Sequence, residues 1–539
     1  MGAPAGRGAT ATDAPGATEV ATDEATAQRP ATASPWWRRV GRVDRLLAAA
    51  VVLGAVVRVW GIGAQSLWYD EWLTAEAASG SLSNLGRYVT RQAGIPPAYF
   101  AVMWGWVRVF GDSDAALRAL SALAGVATIP VAYAAARELG QRRAVARVAA
   151  VLVAVHPMLV WYSQEARPYS LLALLGALSL LTLARVWNRG GQRELMAWAL
   201  VCAVAIAVHY FAVFLVAAEA MFLLVVRRPS RRDLLEAGWP AGVLLALLAP
   251  FAVAQFSRRS NHDWITDYPL VGRLRNAGRD ALVGPTPYHD RLWQVIAVVA
   301  ALAVVLVVVR GDRDQRRAAA VAGGLGAASI LLALAANVVG VDVIIERYLI
   351  ASLVLFVVAV AVGLGATRAP RPVAWAAGAV FCVTSLAIVA ADAREPALQR
   401  ADWRAVADAH EAAEADGPRL LVLNLHGHLG RPLLWYLDGA RVLRSGESVS
   451  VEQIDVVVSL PTTKPCNGFV GMECSLVFLG APPPEPLAGE LELTERIELD
   501  QFALDRYRAA RPLTVTQADV VNAYDRQRQR TLLIVTGEE

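Results

Sequence analysis

Residues 291–294 are Arg291, Leu292, Trp293 and Gln294, and VIAVVAALAVVLVVV then runs unbroken to Val309 before Arg310 closes it. A bilayer core of roughly 30 Å takes about 20 apolar residues per spanning helix, and a helix satisfies its own backbone polar groups in lipid. Runs of the same kind recur at 45–60, 117–136, 147–162, 169–187, 194–209, 210–226, 239–255, 318–337, 347–366 and 372–391. Together with 291–309 they predict a polytopic all-α membrane protein of about 11 spans. Composition agrees: of 539 residues 56% are hydrophobic and 18% charged, and the mean hydropathy is +0.41. The formal net charge of +4 gives no reason to expect a nucleic-acid partner.

Arginine-rich connections set the expected topology. RELGQRRAVAR at 137–147, RVWNRGGQR at 185–193, RRPSRR at 227–232, RGDRDQRR at 310–317 and RAPR at 368–371 are assigned to the cytoplasm by the positive-inside rule. Trp36, Trp37, Arg38, Arg39, Arg42 and Arg45 form a basic, aromatic collar at the first span, so the N-terminus is expected inside. Residues 1–40, rich in Ala, Thr, Pro and Gly and poor in large apolar side chains, are read as a disordered cytoplasmic segment. PAYFAVMWGWVRVF at 97–110 is short for a span and would reverse the helix after it, so it is read as an interfacial helix within a first outer loop, 61–116. The membrane domain then covers 41–391. The pair of runs around His209 is short for two crossings, and one kinked helix there is the alternative, with everything downstream inverted. Residues 392–539 change character, with compact β-type runs at 419–424 and 454–459, and are expected to form an extracytoplasmic α/β domain. Cys466 and Cys474, with seven residues between them, suit a disulfide in an oxidising exterior, with two unpaired thiols as the alternative. The expected location is the inner (plasma) membrane.

The chemistry is then sought on the outer face. Ser66-Leu67-Trp68-Tyr69-Asp70-Glu71-Trp72 sets two adjacent carboxylates among aromatic side chains at a membrane edge. Either acid can serve as a general base toward an acceptor hydroxyl; the structural alternative is an acid pair at a helix N-terminus. Trp161-Tyr162-Ser163-Gln164-Glu165-Ala166-Arg167-Pro168-Tyr169 offers a planar guanidinium with aromatic surface beside it, suited to a phosphate, or alternatively paired to Glu165. Glu346-Arg347-Tyr348 repeats that pattern. The loop around 256–290, with Arg258, Arg259, Arg273, Arg275, Arg279 and Arg291, adds an expected cationic outer surface. His209 reads as a hydrogen-bonded buried histidine at a bend, His156 as the end of a helix, and His426 with His428 as a surface turn. No metal site is indicated by spacing, although a divalent ion is not excluded.

These segments, with Pro96-Pro97-Ala98-Tyr99, His209-Tyr210-Phe211 and Arg347-Tyr348-Leu349, occur in the order seen in the GT-C superfamily. Over about residues 45–440 the chain resembles bacterial membrane proteins of glycosyltransferase family 39, related to protein O-mannosyltransferases and aminoarabinose transferases. Asp402-Trp403-Arg404 resembles the start of the outer domain of predicted membrane mannosyltransferases. The resemblance implies a polyprenyl-phosphate sugar donor, membrane lipid as surroundings, and a protein, glycolipid or envelope polysaccharide as acceptor. It implies inverting transfer of a sugar, mannose by analogy, with Asp70 as base and Glu71 as its alternate or orienting neighbour. Arg167 and Arg347 are then candidates to stabilise the departing phosphate, with Gln164, Glu165, Tyr169 and Tyr348 around them and His209, Tyr210 and Tyr99 as further substrate contacts. Relatives often carry a polar residue where this chain has Ile95. Two other classes stay open: a transporter or flippase for lipid-linked sugars, which would place ionisable residues at mid-span where this sequence is read as almost all Ala, Val and Leu, and a non-catalytic membrane scaffold with an outer binding domain.

Overall fold

The computed structural model describes residues 1–2, 44–91, 96–256, 265, 269–285, 291–342, 344–395, 400–413, 417–425, 430–460, 487, 489–524 and 530–537. The N-terminal segment from residue 3 to 43, Ile95, Arg258, Arg259, His426, His428, Cys466 and Cys474 lie outside the described residues.

From Arg45 the chain is helical almost throughout. Helix α1 (Arg45–Val59) leads to three helices, α2 (Tyr69–Ser79), α3 (Leu82–Arg91) and α4 (Pro97–Phe110), which pack on one another. Helix α5 (Asp114–Glu138) starts where Ser113 caps it, its Oγ accepting from the Ala116 amide at 3.3 Å. Helices α6 (Arg143–Val155) and α7 (Pro157–Trp161) follow, then α8 (Tyr169–Arg189), α9 (Gln192–Val208), α10 (Ala212–Val226), α11 (Arg231–Phe256) and α12 (Leu270–Val283). Helices α13 (Leu292–Arg310), α14 (Arg313–Val338), α15 (Ile350–Leu364) and α16 (Arg371–Arg394) complete the bundle. Every run read as a span is thus a helix, with α6 and α7 sharing one run across a 58° bend. Among the described residues, seven helices are long and apolar enough to cross a bilayer, or up to eight with the bent pair as one span. Helices α1, α9 and α10 have 15, 17 and 15 residues, so the count of about 11 is not established by length.

The bend between α6 and α7 has a chemical cause and a chemical remedy. Pro157 has no amide to give the carbonyl of Val153, and the helix breaks there. Arg58, fully buried in α1, fills the gap: Nη2 donates to the Val153 carbonyl at 3.1 Å, Nη1 to that of Ala154 at 2.7 Å, and Nε to Ser163 Oγ at 3.1 Å. Close backbone approach seals the interior, as at Gly176, where a Cβ would meet the Ala351 backbone across the α8–α15 contact.

Mid-span chemistry departs from the sequence expectation. Glu219 lies buried in α10, accepting from Ser179 Oγ at 2.9 Å and Trp198 Nε1 at 2.8 Å. The spans are therefore not purely Ala, Val and Leu, and an intramembrane carboxyl is present with satisfied hydrogen bonds.

After α16 come α17 (Trp403–Glu411), β1 (Arg419–Leu425), β2 (Arg441–Val442), β3 (Ser448–Ser459), β4 (Leu491–Glu498), β5 (Phe502–Thr516), α18 (Gln517–Tyr524) and β6 (Arg530–Thr536). The strands form one sheet in the order β2-β6-β1-β3-β5-β4, with β1 parallel to β3 and the other pairs antiparallel. Strand alternation divides its core. Leu421, Leu423, Val457, Leu504 and Ile534 join Trp403 and Val406 of α17 on one side, while Leu420, Val422, Val456 and Leu533 pack with Val520 of α18 on the other. The described parts of Arg45–Glu539 belong to one compact unit, and the sheet module contacts α2 directly, Tyr69 packing against the α17 side of its core.

Candidate active site

Helix α2 begins at the aromatic, acidic stretch itself, and successive residues leave an α-helix about 100° apart. Asp70 and Glu71, adjacent in sequence, therefore meet different surroundings. Glu71 is fully buried. Its Oε1 accepts from Arg118 Nε at 2.8 Å and the Ala166 amide at 2.8 Å, and its Oε2 from Arg118 Nη2 at 2.7 Å and Arg400 Nη1 at 2.9 Å. Burial drives its carboxyl upward, but the Arg118 and Arg400 guanidiniums outweigh that and hold it at about 2. Arg118 in turn donates to the carbonyls of Ile62, Gln65 and Ser66, which fixes the entry to α2.

Asp70 faces the other way. Its side chain is 21% exposed and lies 3.5 Å from Arg167 Nη2, while Arg167 Nη1 donates to the Asp70 carbonyl at 3.2 Å and to Thr74 Oγ1 at 3.4 Å. The segment carrying Arg167 is pinned to α5, Ser121 Oγ donating to the Arg167 carbonyl and Ser170 Oγ to that of Ser121. Aromatic rings wall the space beyond. Tyr169 lies 5.1 Å from Tyr162, 5.8 Å from His209 and 6.5 Å from Tyr348, and Tyr348 contacts His209 at 5.0 Å and Phe211 at 4.5 Å. The Arg347 guanidinium sits 6.0 Å from the rings of both Trp68 and Tyr169 and 3.7 Å from Glu346. Asp70, Arg167, Tyr169, His209, Arg347 and Tyr348, predicted from four separate motifs, are thus brought together.

Other predicted residues are placed elsewhere. Gln164 donates to the carbonyls of Val57, Arg58 and Trp60, closing the end of α1. Glu165 is buried beside Arg400, its Oε2 2.7 Å from Nη2, and burial raises its carboxyl to about 7 against the pull of that arginine. Tyr99 is buried in the core of α2–α4, and Tyr210 is half-buried next to the break between α9 and α10. Those two helices are separate, with His209 at the end of the first. Two of the loop arginines are neutralised: Arg273 holds Asp342 through both oxygens at 2.6 and 2.5 Å, and Arg279 lies 2.6 Å from Asp280. The described part of that loop is therefore less cationic than its composition. Sequence reasoning passed over Arg118, Arg400 and Thr74. A lone arginine at the start of an apolar run was the available signal for Arg118. Among the described residues no group of three or more His, Cys, Asp or Glu is arranged to hold a metal ion.

An apolar cavity of about 700 Å³ lies between α6 and α13–α16, lined by Leu152, Ala300, Val304, Phe356 and Val357. Leu282 of α12 and His156 line it as well, and Arg316 of α14 does so from another helix end.

Residues 95–255 match a family model described as dolichyl-phosphate-mannose-protein mannosyltransferase. No curated protein matches the chain in sequence. Among solved structures, ArnT from Cupriavidus metallidurans bound to undecaprenyl phosphate is similar with a TM-score of 0.53 and 13% identity, over 88% of this chain and 98% of that one. Its apo state matches with a TM-score of 0.53 and 12% identity over 86% and 97% of the two chains. The S. cerevisiae protein O-mannosyltransferase Pmt1-Pmt2 complex bound to the sugar donor matches at 19% identity with a TM-score of 0.32, over 40% of this chain and 33% of that one. The chain has the GT-C fold of ArnT, with a multi-helix membrane bundle and a C-terminal sheet module, and resembles glycosyltransferase family 39.

Proposed function

We propose that this chain is an integral-membrane glycosyltransferase that moves a sugar, mannose in the first instance, from a polyprenyl-phosphate carrier to an acceptor hydroxyl, with inversion. The observation that supports this most is the Asp70–Arg167 pair opening onto aromatic rings with Arg347 beside them. The family description of residues 95–255 supports a lipid-phosphate mannose donor. The ArnT-like fold, known in a form bound to undecaprenyl phosphate, supports the carrier.

In the proposed reaction the Asp70 carboxylate takes the proton of the acceptor hydroxyl. The freed oxygen lone pair attacks the anomeric carbon, and the carbon–oxygen bond to the lipid phosphate breaks, releasing polyprenyl phosphate. Arg167, 3.5 Å from the Asp70 carboxylate and bonded to its backbone carbonyl, keeps Asp70 aimed. Arg347, across the aromatic wall, meets the charge that grows on the departing phosphate, and fixed positive charge in a site shielded from water is worth most there. Tyr169, Tyr348 and His209 bound the sugar, and Tyr210 and Tyr99 lie farther out. Glu71 orients the turn that carries Asp70. The carrier's tail occupies the apolar cavity beside α12 and α13. The reaction faces the exterior, with the sheet module on that side and the N-terminus in the cytoplasm.

Cells lacking the chain supply the test. Their envelope fraction is incubated with purified protein and polyprenyl-phosphate mannose, and the product is analysed by mass spectrometry and NMR. Labelled mannose should appear on a protein, glycolipid or polysaccharide hydroxyl with the anomeric configuration inverted. Retained configuration would overturn the displacement, transfer only from a pentose donor would overturn the sugar, and no transfer from any polyprenyl-phosphate sugar would overturn the function.

A further inference from the structure

Arg400 stands just ahead of the sheet module and reaches back into the membrane domain. Its Nη1 lies 2.9 Å from Glu71 Oε2 and its Nη2 2.7 Å from Glu165 Oε2, so one planar fork ties together two chain segments far apart in sequence. Those are the segments that carry the proposed chemistry: Glu71 follows Asp70, and Glu165 precedes Arg167 by two residues. The guanidinium also lies 5.7 Å from the ring of Trp68 and 5.2 Å from that of Trp161, cation–π partners that limit its freedom. Glu71 has Arg118 and the Ala166 amide besides. Among the described residues no group other than Arg400 hydrogen-bonds the Glu165 carboxylate.

The arginine is itself fastened in place. The Arg400 amide donates to Gln65 Oε1 at 3.2 Å, Ser66 Oγ donates to Asp402 Oδ1 at 3.0 Å, and the Arg404 amide donates to Ser66 Oγ at 3.0 Å. Tyr436, deeper in the module, accepts from the Leu67 amide at 2.7 Å and donates to Asp114 Oδ2 at 2.7 Å, and Arg404 also pairs with Asp114. The module therefore grips residues 65–67 immediately before α2 and presents Arg400 between the two acidic segments.

We infer that Arg400 is a positioning residue through which the C-terminal module sets the spacing between Asp70 and Arg167. The inference rests on the glycosyltransferase reading above. A base and its charged partner displaced by about 1 Å can lose on the order of 100-fold in rate, whereas affinity for a lipid held largely by other groups changes little. The module is on this account part of the active site's frame.

The test compares full-length wild type, Arg400→Gln, Arg400→Lys and the double variant Arg400→Gln/Glu165→Gln in lipid nanodiscs. Transfer from polyprenyl-phosphate mannose and thermal unfolding are measured on each. Arg400→Gln should lower kcat about 10- to 100-fold with KM for the donor within about twofold. Arg400→Lys, able to reach one carboxylate at a time, should recover part of kcat. The double variant removes the uncompensated carboxylate, so its melting temperature should return toward wild type while kcat stays low. A kcat that returns together with the melting temperature in the double variant, or a kcat within twofold of wild type in Arg400→Gln, would overturn the positioning role. Wild type that transfers no sugar from polyprenyl-phosphate mannose or from any polyprenyl-phosphate pentose would instead overturn the glycosyltransferase reading and the role with it. Should Arg400→Gln fail to fold, the Lys and double variants decide the matter.

Discussion

Two carboxylates one residue apart divide the end of the bundle into a closed region and an open one. On the closed side, Glu71, Arg118, Arg400 and Glu165 form a buried ion network, with the Glu71 oxygens occupied by two guanidiniums and an amide. On the open side, Asp70 has a single guanidinium at 3.5 Å and remains partly exposed, facing aromatic rings and a second arginine. The difference teaches that charge alone does not mark a reacting group. A carboxylate whose lone pairs are all engaged is a fixture, and one with a loose partner and room in front of it is available for proton transfer.

Neutralising the fixture should give the largest effect. Glu71→Gln leaves Arg118 and Arg400 buried against a neutral amide, and breaking such a pair typically costs about 3–5 kcal/mol. The melting temperature should drop, and activity should fall because folded protein is lost. Unchanged melting by differential scanning fluorimetry would remove the distinction between the two regions. On the open side, Arg347→Ala should weaken undecaprenyl phosphate binding and lower kcat by about 100-fold, since a fixed charge at a developing anion is worth about 2.7–4 kcal/mol, with a smaller drop in melting than Glu71→Gln because its ion pair with Glu346 is long, at 3.7 Å. Ligand binding by microscale thermophoresis checks the first part. Arg167→Lys keeps the charge and loses the planar fork, and a loss of about tenfold in kcat is expected; wild-type kinetics there would assign Arg167 to structure alone.

The smallest expected effect is one of pH. Burial raises Glu165 from 4.5 to about 7. Between those values the folded chain holds a proton that the unfolded chain has released, so stability should decline as pH rises from about 4.5 to about 7. Glu71 runs the opposite way. With its folded value depressed from 4.5 to about 2, its contribution is complete above 4.5 and is lost as pH falls toward 2. Melting temperature followed across both windows should show the upper slope disappear in Glu165→Gln while the lower one stays. An upper slope that persists in Glu165→Gln would show that another group titrates there.

Much of the architecture was legible because lipid imposes it. Every apolar run is a helix, and the stretch at Asp70, the segment at Arg167, His209 and the turn at Arg347 converge as their motif order suggested. The cage was not legible, because Arg118 and Arg400 come from 47 and 329 residues away from Glu71 and no local pattern connects them. Glu219 was passed over as one acid in an apolar helix, and its partners Ser179 and Trp198 belong to two other helices. Strand β4 was missed for a different reason: LELTERIE is charged and largely exposed along its length, so only its pairing with β5 marks it as a strand.

The division of labour between Asp70 and Glu71 is tested most directly by single-turnover transfer with Asp70→Asn in nanodiscs, with lipid-phosphate binding and melting recorded on the same sample. The account predicts sugar transfer reduced by at least about 100-fold, with undecaprenyl phosphate still bound and the melting temperature unchanged. Transfer at the wild-type rate in that variant would contradict it.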